Sequence, residues 1–246
     1  MNLLILIIIP LITALLVALS RSASQVRMIS LAGSVVQLMA SLFLLFSYQA
    51  ERAEGNTEQM LFVFKQELFP SIGINFHLGV DGISVAMILL TAFVVLAGVL
   101  VSWKVEKMVK EFYLLLLLLA VGAYGFFMSL DLFVLFFFLE VSVIPKYLLI
   151  GIWGSGKKEY SANKLALMLM GGSALILVGL LGLYFSGNGP HSFDLIELAT
   201  NGFSRDNQLI FFPLLFVGFG VFTALFPFHT WVPDGHSSAP TAGSMF

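Results

Sequence analysis

The chain has 246 residues, of which 59% are hydrophobic and 11% charged, with a formal net charge of -2 and no cysteine. Soluble domains carry about a quarter of their residues as charged side chains, so this composition is typical of a membrane protein. The lack of cysteine excludes disulfides, thiolate metal sites and iron–sulfur ligation by these residues, and the small, scattered charge argues against nucleic-acid binding.

Hydrophobic stretches long enough to cross a bilayer follow one another along the chain. A spanning helix needs about 20 apolar residues, because about 30 Å of hydrocarbon is crossed at about 1.5 Å per residue. The sequence therefore predicts an all-α, polytopic transmembrane helical bundle of about seven spans, with an eighth beginning at Thr241. The predicted spans are residues 1–20, 28–50, 82–103, 112–130, 132–153, 165–193 and 207–232.

The first span lacks a preceding basic residue, so we interpret it as retained rather than as a signal peptide cleaved near Ser20. Basic residues concentrate in the loops after spans one, three and five, and the positive-inside rule makes those loops cytoplasmic. The N-terminus is then predicted to lie outside. The residues on which this orientation depends are Arg21, Arg27, Lys104, Lys107, Lys110, Lys157, Lys158 and Lys164.

The outer loop at residues 49–81 is less apolar than the spans. Its segments LFVFKQELF and INFHLGVDG alternate in polarity, which is typical of a short hairpin, although an interfacial helix is the alternative. Asp81 and Gly82 are predicted to cap and begin the third span.

The fifth span contains two ionisable residues, Glu140 and Lys146, with Pro145 between them. Glu140 lies about 12 Å into the helix from Leu132, which is near mid-membrane. Charges at this depth are costly and mark proton pathways or buried partners, so we predict a proton relay that uses both residues. The alternatives are a neutral Glu140 that joins two helices through a hydrogen bond, and a Lys146 that snorkels to the cytoplasmic surface.

The six-residue spacing of Glu140 and Lys146 does not favour a direct ion pair on one helix face. Residues six apart are separated by about 120° around an α-helix, whereas contacting pairs are three or four apart. Pro145 removes one backbone hydrogen bond and can kink the helix at this point.

Four further polar residues are candidates in and near the spans. His229 lies at the predicted cytoplasmic end of span seven, and Asp131 lies in the tight link between spans four and five. His229, Asp234 and His236 have a spacing that fits a polar cap over a water channel better than a metal site, so no metal site is predicted.

Three sequence blocks resemble the antiporter-like membrane subunits of respiratory complex I, most of all the subunit M type of bacterial NADH-quinone oxidoreductase. They are LGVDGISVAMILLT, SLDLFVLFFFLEVSVIPKYLLIGIWG and FPFHTWVPDGHSSAPTAGS, in this order. The resemblance implies two inverted five-helix units, each with a helix broken in mid-membrane, in proteins roughly twice as long. This chain is then expected to be a fragment, with leading helices in residues 1–111 and most of the first unit in residues 112–246.

The resemblance also implies site residues. The family pairs a glutamate on span five with a lysine on span seven, and Glu140 matches the glutamate. Phe222 stands where the lysine is expected, while Lys146 stands where the family more often has an apolar residue. Our hypothesis is that the cation has moved from span seven to span five. His229 is expected to connect the interior with the cytoplasmic side.

The function implied by the resemblance is proton translocation in the inner membrane, coupled to NADH oxidation and quinone reduction elsewhere in a complex. The chain is expected to bind no cofactor itself. NAD, FMN, iron–sulfur clusters and quinone are expected in partner subunits, and the expected partners are the lipid bilayer and other complex I membrane-arm subunits. Two alternatives stay open, a large membrane subunit of an Mrp-type cation/proton antiporter and a non-conducting structural subunit.

Overall fold

A computed structural model of the protein describes residues 2–187 and 191–246. It is a bundle of helices with one β-hairpin, which confirms the predicted all-α membrane class. The elements are α1 (Leu4–Leu19), α2 (Ala23–Ala53), β1 (Leu61–Phe69), β2 (Ile74–Val80), α3 (Gly82–Val101), α4 (Val109–Met128), α5 (Leu132–Trp153), α6 (Lys158–Ser186), α7 (Leu195–Asn201), α8 (Arg205–Phe222), α9 (Trp231–Ser238) and α10 (Thr241–Met245).

Within the described residues, five helices are long and apolar enough to cross a membrane, namely α2 to α6. The predicted first span is a 16-residue apolar helix, α1, which is shorter than the usual requirement of about 20 residues. The predicted seventh span is not one helix, because α8 ends at Phe222 after 18 residues. The count of seven full-length spans is therefore only partly reproduced.

The predicted sixth span begins too late in the sequence. Helix α6 starts at Lys158 rather than at residue 165, so Lys158 and Lys164 belong to its first turns and not to a loop. The prediction was wrong here because it required uncharged spans, whereas lysines are tolerated at helix ends where the ammonium group reaches water. Met1 of the first predicted span and residues 188–190 of the sixth lie outside the described residues.

The loop between α2 and α3 forms the antiparallel hairpin β1–β2, which confirms the hairpin and not the interfacial helix. Asp81 caps α3 as predicted, since its Oδ1 accepts a hydrogen bond of 2.7 Å from the backbone N–H of Ser84. This contact satisfies one of the free N–H groups at a helix start.

Helix α4 lies at the centre of the bundle and packs against α1, α3 and α5. Its Tyr113 and Tyr124 side chains are fully buried. Gly125 permits the close approach to α5, because a Cβ atom at this position would overlap the ring of Phe138. The central position of α4 places α5, the helix with both intramembrane charges, against the best-packed part of the molecule.

Candidate functional site

Glu140 occupies the middle of α5, and Asp131 fixes the start of this helix. The Oδ1 atom of Asp131 accepts hydrogen bonds from the backbone N–H groups of Phe133 and Val134, at 3.0 and 3.1 Å. Such capping satisfies the first donors of the helix and defines where it begins. Glu140 lies nine residues beyond Asp131, at a depth of about 13 Å by helical rise.

The half-buried carboxylate of Glu140 faces α6. Its Oε1 atom accepts a hydrogen bond from the hydroxyl of Ser173, which is itself buried. This contact joins α5 to α6 inside the bundle. Ser173 was not predicted from the sequence, because a single serine in an apolar helix carries no signal of which neighbour it faces.

Glu140 and Lys146 are not a direct pair. In residues 2–187 and 191–246, neither side chain makes an ion pair within 4 Å. Helix α5 continues through Pro145 to Trp153, so the two charges stay on one helix at the predicted spacing. The rise between their Cα atoms is about 9 Å, and they interact at a distance rather than by contact.

Lys146 and Phe222 border the same cavity, which has a volume of about 290 Å³. The other walls of this cavity include Trp231 and His236, which follow the break in the predicted seventh span. Lys146 also borders a second cavity of about 220 Å³, on the side of α3 and α4. Lys146 therefore borders the same cavity as Phe222, the position at which the resemblance implied a lysine on span seven.

The chain is irregular between α8 and α9, next to this cavity. Helix α8 ends at Phe222, Ala224 has a positive φ of 56°, and helical structure resumes as one short turn before α9. The carbonyl of Val221, at the end of α8, accepts the indole N–H of Trp231 at 2.9 Å and the backbone N–H of Ala224 at 3.3 Å. A broken helix at membrane depth is tolerated where it is buried in protein or lines a cavity.

The polar residues beyond the break have different surroundings. His229 is exposed and stacks on Phe226, and it does not border the Lys146 cavity. His236 does border the cavity, and its Nδ1 atom lies 3.0 Å from the Ser244 hydroxyl oxygen. Asp234 forms an ion pair of 2.7 Å with Lys164 of α6. Among the described residues, no group of three His, Asp or Glu side chains is placed to hold a metal ion.

A second polar group joins the hairpin to the helices, and we call it the hairpin cluster (Lys65, His77, Asp131 and Asp194). The Oδ2 atom of Asp194 lies 2.8 Å from Lys65 Nζ and 2.8 Å from His77 Nδ1. The Oδ2 atom of Asp131 accepts the backbone N–H of Asn75 at 2.9 Å. His77, Asp131 and Asp194 are all buried. Of these four residues, only Asp131 was predicted from the sequence as a candidate.

The environment shifts the pKa of three members of the hairpin cluster. Burial opposes ionisation of Asp194, but Lys65 and His77 outweigh it and hold its pKa below the ordinary value. The hydrogen bond to Asp194 raises the pKa of Lys65. Burial raises the pKa of Asp131, although three backbone N–H groups oppose the shift. The cluster therefore contains one carboxyl group with a lowered pKa, that of Asp194, and one with a raised pKa, that of Asp131.

The chain is similar to membrane subunits of known quinone oxidoreductases. The family model described as "NADH:quinone oxidoreductase/Mrp antiporter, TM" matches residues 129–246. The NAD(P)H-quinone oxidoreductase chain 4 2 of Microcystis aeruginosa is 35% identical over 204 residues, which are 82% of this chain and 37% of the relative. The NADH-quinone oxidoreductase subunit M of Rickettsia bellii is 32% identical over 249 residues, 97% of this chain and 49% of the relative.

Solved structures share the fold. A chain of respiratory complex I from Thermus thermophilus with bound NADH superposes with a TM-score of 0.85 at 24% identity, over 98% of this chain and 48% of that one. A chain of the membrane-bound sulfane sulfur reductase, an archaeal respiratory membrane complex, gives a TM-score of 0.81 at 24% identity, over 98% of this chain and 49% of that one. The chain thus spans about half the length, or less, of the proteins that it matches.

Proposed function

The chain belongs to the antiporter-like membrane subunits of the NADH:quinone oxidoreductase/Mrp antiporter family, and on that premise we propose that it translocates protons as part of a complex I-type NADH-quinone oxidoreductase. In this proposal the chain carries no redox step. Electron transfer takes place in partner subunits, which hold NAD, FMN, iron–sulfur clusters and quinone. The energy of quinone reduction reaches this chain as a movement of charge in the membrane arm.

The observation that carries the proposal is the shared cavity of Lys146 and Phe222. A cation on α5 is directed to the space beside the broken helix, where the family resemblance places a lysine on span seven. We infer that Lys146 supplies this cation from the opposite wall. In this proposal the cation stands on α5 instead of α8 and borders the same cavity as Phe222.

In the mechanism that we propose, Glu140 holds and releases a proton as charge moves near it. Two unit charges about 10 Å apart, at an effective dielectric constant of about 20, interact by about 1.7 kcal/mol. That energy changes a proton affinity on the order of tenfold, which is enough to favour uptake in one state and release in another. Ser173 holds the Glu140 side chain toward α6 in this mechanism.

We place the cytoplasmic approach to this site along the broken helix. Both histidines are exposed, but only His236 borders the Lys146 cavity, so it is a better candidate for this approach than His229. Asp131 and Asp234 are assigned supporting roles, since one caps α5 and the other pairs with Lys164. The proposal includes the inner membrane as location, with the N-terminus outside, and other membrane-arm subunits as partners.

The experiment that tests the proposal compares Lys146→Met with a rescued variant. Proton pumping is measured as NADH-driven acidification of inverted membrane vesicles that contain the assembled complex, with NADH oxidation measured in parallel. We expect Lys146→Met to lose most pumping while assembly is preserved. The double variant Lys146→Met/Phe222→Lys is expected to recover pumping, because it returns the cation to the same cavity from α8.

Lys104→Met is the matched control, since Lys104 is an exposed lysine in the loop before α4. Normal pumping by Lys146→Met, with the complex assembled, would contradict the role of Lys146 and favour a structural subunit. Pumping that depends on sodium and continues without NADH would instead support the Mrp-type antiporter.

A further inference from the structure

A groove with one charged end lies between α6 and α8. It has a volume of about 480 Å³, and its walls are Leu183 of α6 and one face of α8. The residues on that face of α8 recur mainly at spacings of three and four, as one side of an α-helix requires. They are Arg205, Gln208, Leu209, Phe212, Pro213 and Leu215. Apart from Arg205 and Gln208 at one end, the walls of the groove are apolar.

Glycines let α6 and α8 approach each other closely next to the groove. A Cβ atom at Gly182 would overlap the ring of Phe211, and one at Gly179 would overlap the side chain of Leu215. The groove is therefore formed by two helices in direct contact, and this contact sets the distance between its walls.

The length of the groove matches one leaflet of a bilayer. From Arg205 to Leu215 the helical rise is about 15 Å, at about 1.5 Å per residue. The hydrocarbon core of a bilayer is about 30 Å thick, so one leaflet is about 15 Å deep. Leu209 and Phe212, in the middle of the groove, are each 65% exposed, which fits contact with acyl chains rather than with water.

Arg205 brings an unbalanced positive charge to the groove. In the part of the chain that the structure describes, its guanidinium group makes no ion pair within 4 Å. Arg52 and Lys65, at the same end of the bundle, donate to a tyrosine hydroxyl and to a buried carboxylate. Asp206 follows Arg205 directly, but it lies about 100° around the helix and does not line the groove.

We propose that this groove binds one anionic phospholipid of the phosphatidylglycerol class, with its phosphate on Arg205 and an acyl chain along Leu209, Phe212 and Leu183. A guanidinium group matches a phosphate with two parallel hydrogen bonds. The amide of Gln208 already donates to the carbonyl of Phe203 at 2.9 Å, so the phosphate is left to Arg205.

The choice of an anionic headgroup follows from the charge at this end of the groove. In a zwitterionic lipid such as phosphatidylcholine, an ammonium group of the same headgroup balances the phosphate, so Arg205 gains less from binding it. Basic residues close to a membrane surface attract anionic lipids for this reason. Arg205 is thus expected to discriminate between headgroups, while the apolar walls accept the acyl chain of either lipid.

The test is photolabelling of the full chain in phosphatidylcholine vesicles. The vesicles contain a trace of phosphatidylglycerol or phosphatidylcholine with the same diazirine-bearing acyl chain, and labelled peptides are identified by mass spectrometry. We expect the peptides that contain Leu183 and Phe212 to be labelled several-fold more by phosphatidylglycerol. The internal control is the middle of α2, where Met39 and Phe43 are each 63% exposed and both lipids should label equally.

Variants separate the headgroup site from the acyl-chain site. Arg205→Gln should reduce labelling by phosphatidylglycerol to the level of phosphatidylcholine, while Arg21→Gln, an exposed arginine between α1 and α2, should keep the preference. Leu183→Trp fills the groove and should lower its labelling by both lipids. Leu181→Trp is the matched control, because Leu181 is 38% exposed on the same helix and does not line the groove.

Three results would overturn the proposal. Equal labelling of the groove by the two lipids would show ordinary boundary lipid only. A groove that neither lipid labels, in a sample whose α2 is labelled, would show that protein covers it. A preference for phosphatidylglycerol that persists in Arg205→Gln would show that Arg205 does not bind the phosphate.

Discussion

The Nδ1 atom of His77 lies 2.8 Å from Oδ2 of Asp194, and this contact joins the β-hairpin to the segment before α7. The same oxygen accepts Lys65 Nζ, and Oδ1 of Asp194 caps α7 by accepting the N–H of Ile196 at 3.0 Å. One buried carboxylate therefore serves three parts of the chain. Hydrogen bonds to charged groups contribute about 1.5–3 kcal/mol each when buried.

We expect Asp194→Asn to destabilise the protein by about 2–3 kcal/mol, because Lys65 and His77 lose the charge that they share. The measurement is the midpoint of thermal unfolding of the detergent-solubilised chain. Asp206→Asn is the control, since Asp206 is exposed in the first turn of α8. A midpoint that moves no further than that of the control would show that the Asp194 contacts add nothing to stability.

The pKa shifts in the hairpin cluster predict how stability depends on pH. The pKa of Lys65 is raised above 10.5, so its contribution is complete below that pH and is lost as pH rises through the higher folded value. The pKa of Asp194 is lowered from 3.8, so its contribution is present above that pH and is lost as pH falls through the lower folded value. Asp131 opposes the acid loss, because its raised pKa favours the protonated folded form.

Lys65→Met tests the alkaline half of this prediction. Unfolding midpoints measured from neutral pH to above 10.5 should fall less steeply in the variant than in the wild type, because the titrating amine is gone. Lys104→Met, an exposed lysine outside the cluster, should keep the wild-type slope. Identical slopes in the Lys65 variant and the wild type would rule out the contribution of the Lys65 ammonium group.

Glu140→Gln should abolish most proton pumping, because the amide keeps the shape of the side chain and can still bond to Ser173 but cannot exchange a proton. Pumping is measured by NADH-driven acidification of inverted vesicles, and assembly by recovery of the complex. Glu106→Gln, in the exposed loop before α4, is the control and should pump normally. Normal pumping by Glu140→Gln would leave Glu140 as a residue that only joins α5 to α6.

Gly125→Ala should destabilise the contact between α4 and α5, since the added methyl group would overlap the ring of Phe138. Overpacking of a close-packed interior costs about 1–3 kcal/mol. The matched control is Gly171→Ala in α6, where the methyl group would meet no atom within 4 Å. We expect a lower thermal midpoint for the first variant only. Equal thermal midpoints for the two variants would show that the close contact of Gly125 with Phe138 does not limit stability.

The sequence predicts those parts of this molecule that depend on local composition. Apolar runs predicted the bounds of α2 to α5 within a few residues, because the bilayer thickness sets the length of each apolar segment. Asp81 was a correct N-cap, because the free N–H groups at a helix start are satisfied by a neighbouring side chain. The break after Phe222 was missed by hydrophobicity, since the residues there stay apolar while the backbone changes direction. Only the family resemblance implied a broken helix.

The site was predicted in part. Glu140 and Lys146 were visible because charges are rare in apolar runs, and the structure adds the cavity that joins Lys146 to Phe222. The contact of His77 with Asp194 was not predictable, because it joins two loops far apart in the chain and depends on how the hairpin docks. The role of His229 stays a prediction, and the cavity points to His236 instead.

The hydrogen bond from Trp231 to Val221 has a consequence for motion of the broken helix. If α9 swung away from α8, the carbonyl of Val221 would lose one of its two donors and keep the N–H of Ala224, at a net cost of about 1 kcal/mol or less. A cost of that size is close to the thermal energy, so α9 can move relative to α8 about residues 223–227. The Trp231 hydrogen bond then favours one resting position of α9. The indole of Trp231 thus weakly restrains the broken helix next to Lys146.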